Sequence, residues 1–300
     1  MRVTHQMLAQ NVSRNIQRNL KSLEERSTQL SMGRKFDRPS QDPVGTYKVM
    51  GITGTNLARN EQYGRNISEA TTWLTVTEDA LDNAADIINR LRELSIYTAS
   101  STVEAEDMQK VAPEVKELYE QLVSLGNAEV NNLYVFGGHE TQKPPYMLAN
   151  GEEFDLAFEG DGGKRAVEIA PANSLEINIT GAAAFGEEGM ETFEVVEDMY
   201  EALLDGDHDR LGNEIISGLD GALDRLLQCR AEVGAKMGRL ESTEERLEGE
   251  RLYLRELRSK IEDLDVAEAI MELKMQENTY QASLATGSRM IYPSLIDFLQ

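Results

Sequence analysis

Residues 211–264 read LGNEIISGLDGALDRLLQCRAEVGAKMGRLESTEERLEGERLYLRELRSKIEDL, and their spacing decides the fold. Leu219, Leu226, Val233, Leu240, Leu247, Leu254 and Ile261 recur every seven residues, Leu223 and Met237 supply part of a second stripe, and Arg and Glu fill the other faces. A seven-residue apolar repeat keeps one stripe of an α-helix turned toward a neighbour, so the stretch reads as a helix with a heptad seam. As one helix it would extend ~80 Å at ~1.5 Å per residue, more than a small domain is wide, which implies a rod. No proline falls between Ala172 and Tyr292 to interrupt it.

Three further segments share the pattern. Ala9, Ile16, Leu23 and Leu30 are seven apart; Ile67, Ala70, Leu74, Thr77, Leu81, Ala84, Ile88 and Leu91 alternate spacings of three and four; Met108, Val111, Val115, Leu118, Leu122 and Leu125 do likewise. Four amphipathic helices need one another's faces. Pro113 lies inside the third, where it removes a helix hydrogen bond, so the expectation is a kink there or a helix that starts near Pro113, with the stretch after Ser101 forming a separate turn. From about Pro144 to Gly181 the period changes to two: Phe154, Leu156 and Phe158, then Val167 and Ile169, then Leu175, Ile177 and Ile179, which read as short strands. Gly160-Asp161-Gly162-Gly163 sits between the first two and reads as their hairpin turn, because no helix start follows to make a phosphate loop.

The chain has 300 residues with 53 Asp and Glu against 30 Lys and Arg, a net charge of −23 that disfavours nucleic acid and anionic lipid as partners. Residues 1–66 carry 11 basic and 5 acidic groups, whereas 145–210 carry 3 and 17. A basic arm on an acidic body suggests pairing within or between copies. Cys229 is the only cysteine, which excludes an intrachain disulfide and a Cys-built zinc site. No run reaches the ~18 apolar residues of a membrane span, and the N-terminus opens no signal-peptide pattern.

The search for chemistry is empty. Asp205-Gly206-Asp207-His208-Asp209 imitates the start of a calcium loop, but Arg210 stands where Gly is needed and Ile216 where Glu is needed. His5, His139 and His208 have no second His or Cys at ligand spacing, and no cofactor or metal is expected. Cys229 among Leu226, Leu227 and Val233 reads as a buried small hydrophobe. The acidic run around Phe193, Val196 and Met199 reads as a solvated helix face, and Trp73 as packing in preference to a sugar platform. A helical enzyme or metal-binding protein is therefore the remote reading. What remains are two amphipathic ends that need partners: Val3, Met7, Val12, Ile16, Leu23 and Leu30, and Leu284, Met290, Leu295, Ile296 and Leu299.

A resemblance adds to this. Leu30-Ser31-Met32-Gly33-Arg34-Lys35-Phe36-Asp37-Arg38-Pro39-Ser40-Gln41-Asp42-Pro43 resembles a segment of the bacterial flagellin family, with Gln41 where the family usually has Asp. Asn131 to Thr141, with Phe136-Gly137-Gly138 at its centre, resembles the branch of that family found where hook meets filament. The resemblance implies a mainly α, elongated flagellin-like rod with coiled-coil terminal arms and a small β insertion. The map is an N-terminal arm 1–42 that pairs with 260–300 to line an inner tube, rod halves 43–145 and 185–259, a β domain 146–184, and the C-terminal arm 260–300. It further implies a structural subunit, with no enzymatic activity, that joins hook to filament as a ring of self-associating copies. Another hook-associated protein would lie on the hook side, flagellin on the filament side, and an export chaperone would carry the chain, secreted to the extracellular flagellum without a cleaved signal peptide. A short flagellin that forms the filament itself is the alternative.

Overall fold

The computed structural model describes residues 5–100, 102–148, 154, 156–186 and 189–291. The fold is mainly α. Helix α1 spans His5–Met32; α2, Pro43–Met50, runs through a π-type stretch Gly51–Leu57 into α3, Ala58–Thr98; α4 is Ala105–Gly126. After the strands come α5 Gly181–Phe185, α6 Glu191–Asp205, α7 His208–Arg210, a second π-type stretch Leu211–Ile215, α8 Ile216–Glu262 and α9 Val266–Ile291. The chain divides into two compact units, a terminal one of Met1–Arg59 with Glu250–Gln300 and a middle one of Asn60–Gly249.

The middle unit is organised by α3 and α8. All eight residues of the α3 stripe, Ile67 through Leu91, are buried. On α8 the heptad residues Leu219, Leu226, Val233, Leu240 and Leu247 are buried in the same core, each side chain contributing about 1.5–3 kcal/mol by leaving water. The two helices run antiparallel: Arg92 Nε meets Asp220 Oδ1 at 2.5 Å, Arg230 meets Glu78 at 2.9 Å and Asp82 at 2.7 Å, and Asn60 Nδ2 donates to the Leu247 carbonyl at 2.9 Å. The heptad continues into the terminal unit, where Leu254 is buried with Ile52 and Leu57, and Leu257 and Ile261 pack partly buried beside them. Five-residue spacing in a π-type turn brings Ile52 and Leu57 onto one side of the chain, which an α-helix would not do.

Helix α4 begins at Ala105 and passes through Pro113, so no separate turn precedes a helix start at the proline. Pro113 is exposed, between buried Ala112 and Val115. Gln109, whose carbonyl loses its donor, is exposed as well, so the unpaired carbonyl is not shut inside the core.

Among the described residues the strands form three two-stranded antiparallel sheets: β1 Glu129–Val130 with β2 Leu133–Tyr134, β3 Tyr146–Leu148 with β4 Leu156–Phe158, and β5 Ala166–Ala170 with β6 Asn173–Glu176. The segment Gly160–Gly163 is thus not a hairpin turn, because β4 pairs backward with β3 and β5 forward with β6. Asp161 fixes it elsewhere: its Oδ1 accepts from the His139 amide at 2.6 Å and the Gly163 amide at 2.9 Å, and its own amide donates to the Gly137 carbonyl at 3.1 Å. Those donors hold the Asp161 carboxyl below the usual carboxylate range. Ile169 on β5 and Leu175 on β6 join the same buried cluster as the helices, as do Ile177 and Ile179, which lie beyond the end of β6 and not in a strand as their alternation suggested. Tyr146 lies between Phe193 at 4.8 Å and Phe185 at 5.6 Å, and donates from its hydroxyl to the Gly189 carbonyl at 3.0 Å. Trp73 is 3% exposed beneath the Arg165 guanidinium, 4.7 Å above its ring.

Candidate assembly surface

The terminal unit is built on the pairing of α1 with α9. On α1, Val12, Ile16, Asn19, Leu23, Arg26 and Leu30 are half-buried at spacings of four and three. On α9, Ala269, Leu273, Gln276, Tyr280, Ser283 and Gly287 repeat the same spacing. A Cβ on Gly287 would meet Val12 Cγ1 at 2.8 Å and Ile16 Cδ1 at 3.3 Å, while Arg26 pairs with Glu272 at 3.0 Å, so the helices run antiparallel with their stripes facing. Glycine at 287 lets the helices approach; opposite charges at 26 and 272 set the register.

The segment Gly33–Pro43 closes one end of this pair. Gly33, at φ 70°, ends α1, and its amide donates to the Gln29 carbonyl at 2.9 Å, the left-handed helix cap that glycine adopts without strain. Arg34 bridges antiparallel to Asp263; Lys35 N donates to Glu262 O at 2.8 Å and Leu264 N to Gly33 O at 3.0 Å. The Arg34 guanidinium also meets Glu262 Oε1 at 2.8 Å. Two backbone bonds and one ion pair therefore tie the turn after α1 to the turn before α9. Asp42 caps α2, its Oδ1 accepting from Gly45 N at 2.8 Å, and Pro43 takes the first helical turn where no donor is needed. Gln41 Oε1 accepts from Asp37 N at 2.9 Å, so the amide oxygen supplies the acceptor that a carboxylate would. Pro39 and Ser40 lie exposed in the turn between.

The residues expected at the assembly interface fall into three groups. Val12, Ile16, Leu23 and Leu30 lie in the seam between α1 and α9. Met7 and Leu284 are exposed. Val3, Leu295, Ile296 and Leu299 lie outside the described residues, as does the side chain of Met290, whose backbone belongs to α9. Phe136, Gly137 and Gly138 lie in the middle unit: Phe136 is buried against Phe185 at 5.4 Å, and Gly138, at φ 72°, runs against the Asp161 backbone. Their work is packing.

Sequence reasoning missed other residues of the terminal unit. Val44, Tyr47 and Met50 stand exposed three apart on α2, Tyr47 at 81%; Leu252 and Tyr253 are exposed on α8; Ile270, Met271 and Met275 are exposed on α9. Thirteen of the 18 exposed large hydrophobic side chains among the described residues belong to this one unit. Apolar surface so concentrated in one unit makes that unit the candidate contact surface. The three-residue spacing after Pro43 was the available signal. Charge divides in the same way, with 16 basic and 13 acidic groups in the terminal unit against 14 and 40 in the middle one.

No helix among the described residues is long and apolar enough to cross a membrane. The geometry is that of a mainly helical structural protein. Residues 3–141 match the bacterial flagellin N-terminal helical region and residues 216–299 the C-terminal helical region, and the chain belongs to the bacterial flagellin family. Its role is flagellar and structural, with no enzymatic activity. Within the family it is 25% identical to flagellar hook-associated protein 3 of Salmonella typhimurium, covering 97% of both chains. It is 24% identical to the flagellar filament 33 kDa core protein of Treponema phagedenis, over 95% of this chain and 94% of the relative. A solved structure from Vibrio parahaemolyticus, described as a putative flagellar hook-associated protein, shares the fold with a TM-score of 0.68 at 18% identity, covering 74% of this chain and all of that one.

Proposed function

We propose that this protein is a subunit of the junction between hook and filament in the extracellular flagellum, where copies associate into a ring. The observation that carries this reading is the concentration of uncovered apolar side chains on the terminal unit, which only further flagellar chains would bury. The likeness to hook-associated protein 3 along 97% of both chains favours the junction over the filament. Another hook-associated protein lies on the hook side, flagellin on the filament side, and a chaperone keeps the apolar arms from associating before export without a cleaved signal. In this reading segments 1–42 and 260–300 are the paired arms, with Val3, Leu295, Ile296 and Leu299 in the contacts between copies; 43–145 and 185–259 are the rod, and 146–184 is its β insertion.

A strain lacking the gene should make hooks without filaments, and gold-labelled antibody on complemented cells should mark only the base of each filament. Label along the whole filament would favour the second reading, a short flagellin, which the likeness to the Treponema filament protein supports. Filaments of normal number in the deletion strain would sink both.

A further inference from the structure

Helical glycines in this chain fall into two kinds. Gly45, Gly126, Gly181, Gly212, Gly218, Gly221 and Gly287 lie where an added Cβ would touch a neighbouring side chain, as Gly126 against Tyr146 at 2.7 Å and Gly218 against Val195 at 2.7 Å. Close packing explains most of them. Gly51, Gly54, Gly64, Gly234, Gly238 and Gly249 have nothing within 4 Å of the Cβ position. Gly51, Gly54, Gly64 and Gly249 fall near the two points where the chain passes between its units, Arg59/Asn60 and Gly249/Glu250, whereas Gly234 and Gly238 lie inside the middle unit. Glycine inside a helix weakens it relative to alanine by leaving the unfolded backbone more freedom, and here no contact is gained in return.

Other features soften the same places. The π-type stretch Gly51–Leu57 buries only Ile52 and Leu57, against a small cluster completed by Leu254, Leu257 and Ile261. On α8 the residues between Leu247 and Leu254 are exposed apart from Arg251. Just inside the middle unit the buried Asn60 side chain donates to Leu247 O at 2.9 Å, which fixes α3 to α8 at that level. Local opening is cheapest where few apolar side chains are buried. We infer that the chain bends at two glycine-softened points, Gly51–Leu57 before α3 and the segment around Gly249 in α8, with the Asn60–Leu247 bond as the limit of the rigid part. This does not depend on the junction reading. It assigns Gly51, Gly54 and Gly249 to compliance, since nothing in the packing calls for them; Gly64, Gly234 and Gly238 lie on the rigid side of that bond and are no part of it.

The test uses the full chain with alanine at three of the open positions, G51A, G54A and G249A, alone and combined. Alanine fits each site without a clash, and Gly51 already has helical angles, φ −62° and ψ −44°. In the unsubstituted protein, amide hydrogens of 50–58 and 247–253 should exchange at least a hundredfold faster than those of Ile67–Leu91. Each substitution should slow exchange in its own stretch by about fivefold, with the melting midpoint unchanged or raised. Spin labels on K48C and Q62C should give a broad distance distribution that narrows in the triple variant. Exchange at these stretches as slow as in Ile67–Leu91, a narrow distribution in the unsubstituted protein, unchanged exchange in the triple variant, or a lowered midpoint would each overturn the inference.

Discussion

Gly138 shows how little freedom single residues of the middle unit have. At φ 72° it occupies backbone space that L side chains avoid, and any Cβ would run into the backbone of Asp161. Strain of this kind costs about 1–3 kcal/mol, so G138A should lower the stability of the middle unit by at least that much in urea denaturation, leaving the α1–α9 pair intact. Cys229 makes the opposite case, a reactive group made inert. Burial pushes its thiol up to about 11, and the sulfur donates to the Ala183 carbonyl at 3.3 Å. Because the folded value lies above the ~8.5 of an unfolded thiol, the stabilisation is complete below that pH and is lost as pH rises toward 11. A thiol reagent at pH 7.5 should therefore label native protein at least a hundredfold more slowly than protein in urea, and rapid native labelling would contradict the packing.

The pairing of α1 with α9 turns on one small residue. G287L should force Val12 and Ile16 outward and separate the helices, which circular dichroism would read as lost helix while the tertiary signal of the middle unit persists. P113A restores a donor to the middle of α4 at an exposed position, and should stabilise the middle unit by up to about 3 kcal/mol in the same denaturation measurement. At this scale the sequence was readable where periodicity ran long. The heptad from Leu219 to Ile261 and the stripe from Ile67 to Leu91 both mark buried faces, since a continuous stripe at helical spacing has one physical solution. Partners of strands were not readable: alternation says which side chains share a face but not whether Leu156–Phe158 pairs with Tyr146–Leu148 or with Ala166–Ala170, and here Asp161 and the β3 segment decide. The β1–β2 turn, with Asn131 and Asn132 at φ 51° and 64°, had a usable cue in the Asn-Asn pair. Nor does hydropathy reveal whether an apolar face is covered, which is why Tyr47, Met271 and Met275 were missed while the seam of α1 was found.

Across the whole molecule, the two units differ in charge as sharply as in apolar exposure, about +3 against −26. Copies brought side by side place their middle units within reach of one another, and screening falls to a Debye length of ~10 Å only near 0.1 M salt. If copies associate as proposed, the rate followed by light scattering should rise steeply between 20 and 500 mM NaCl. A rate that falls with salt would mean that attraction between basic arm and acidic body drives the association instead.

The Trp73–Arg165 stack has a practical consequence. It holds the only indole in the chain, and the terminal unit has none. Emission excited at long wavelength therefore comes from one half of the architecture alone, shielded from water and blue-shifted while that half is intact. Tyrosine is not so divided: six of the ten, Tyr63, Tyr97, Tyr119, Tyr134, Tyr146 and Tyr200, share the half that holds the indole. Indole emission thus follows melting of the body without a contribution from the arms, whereas absorbance near 280 nm mixes the two.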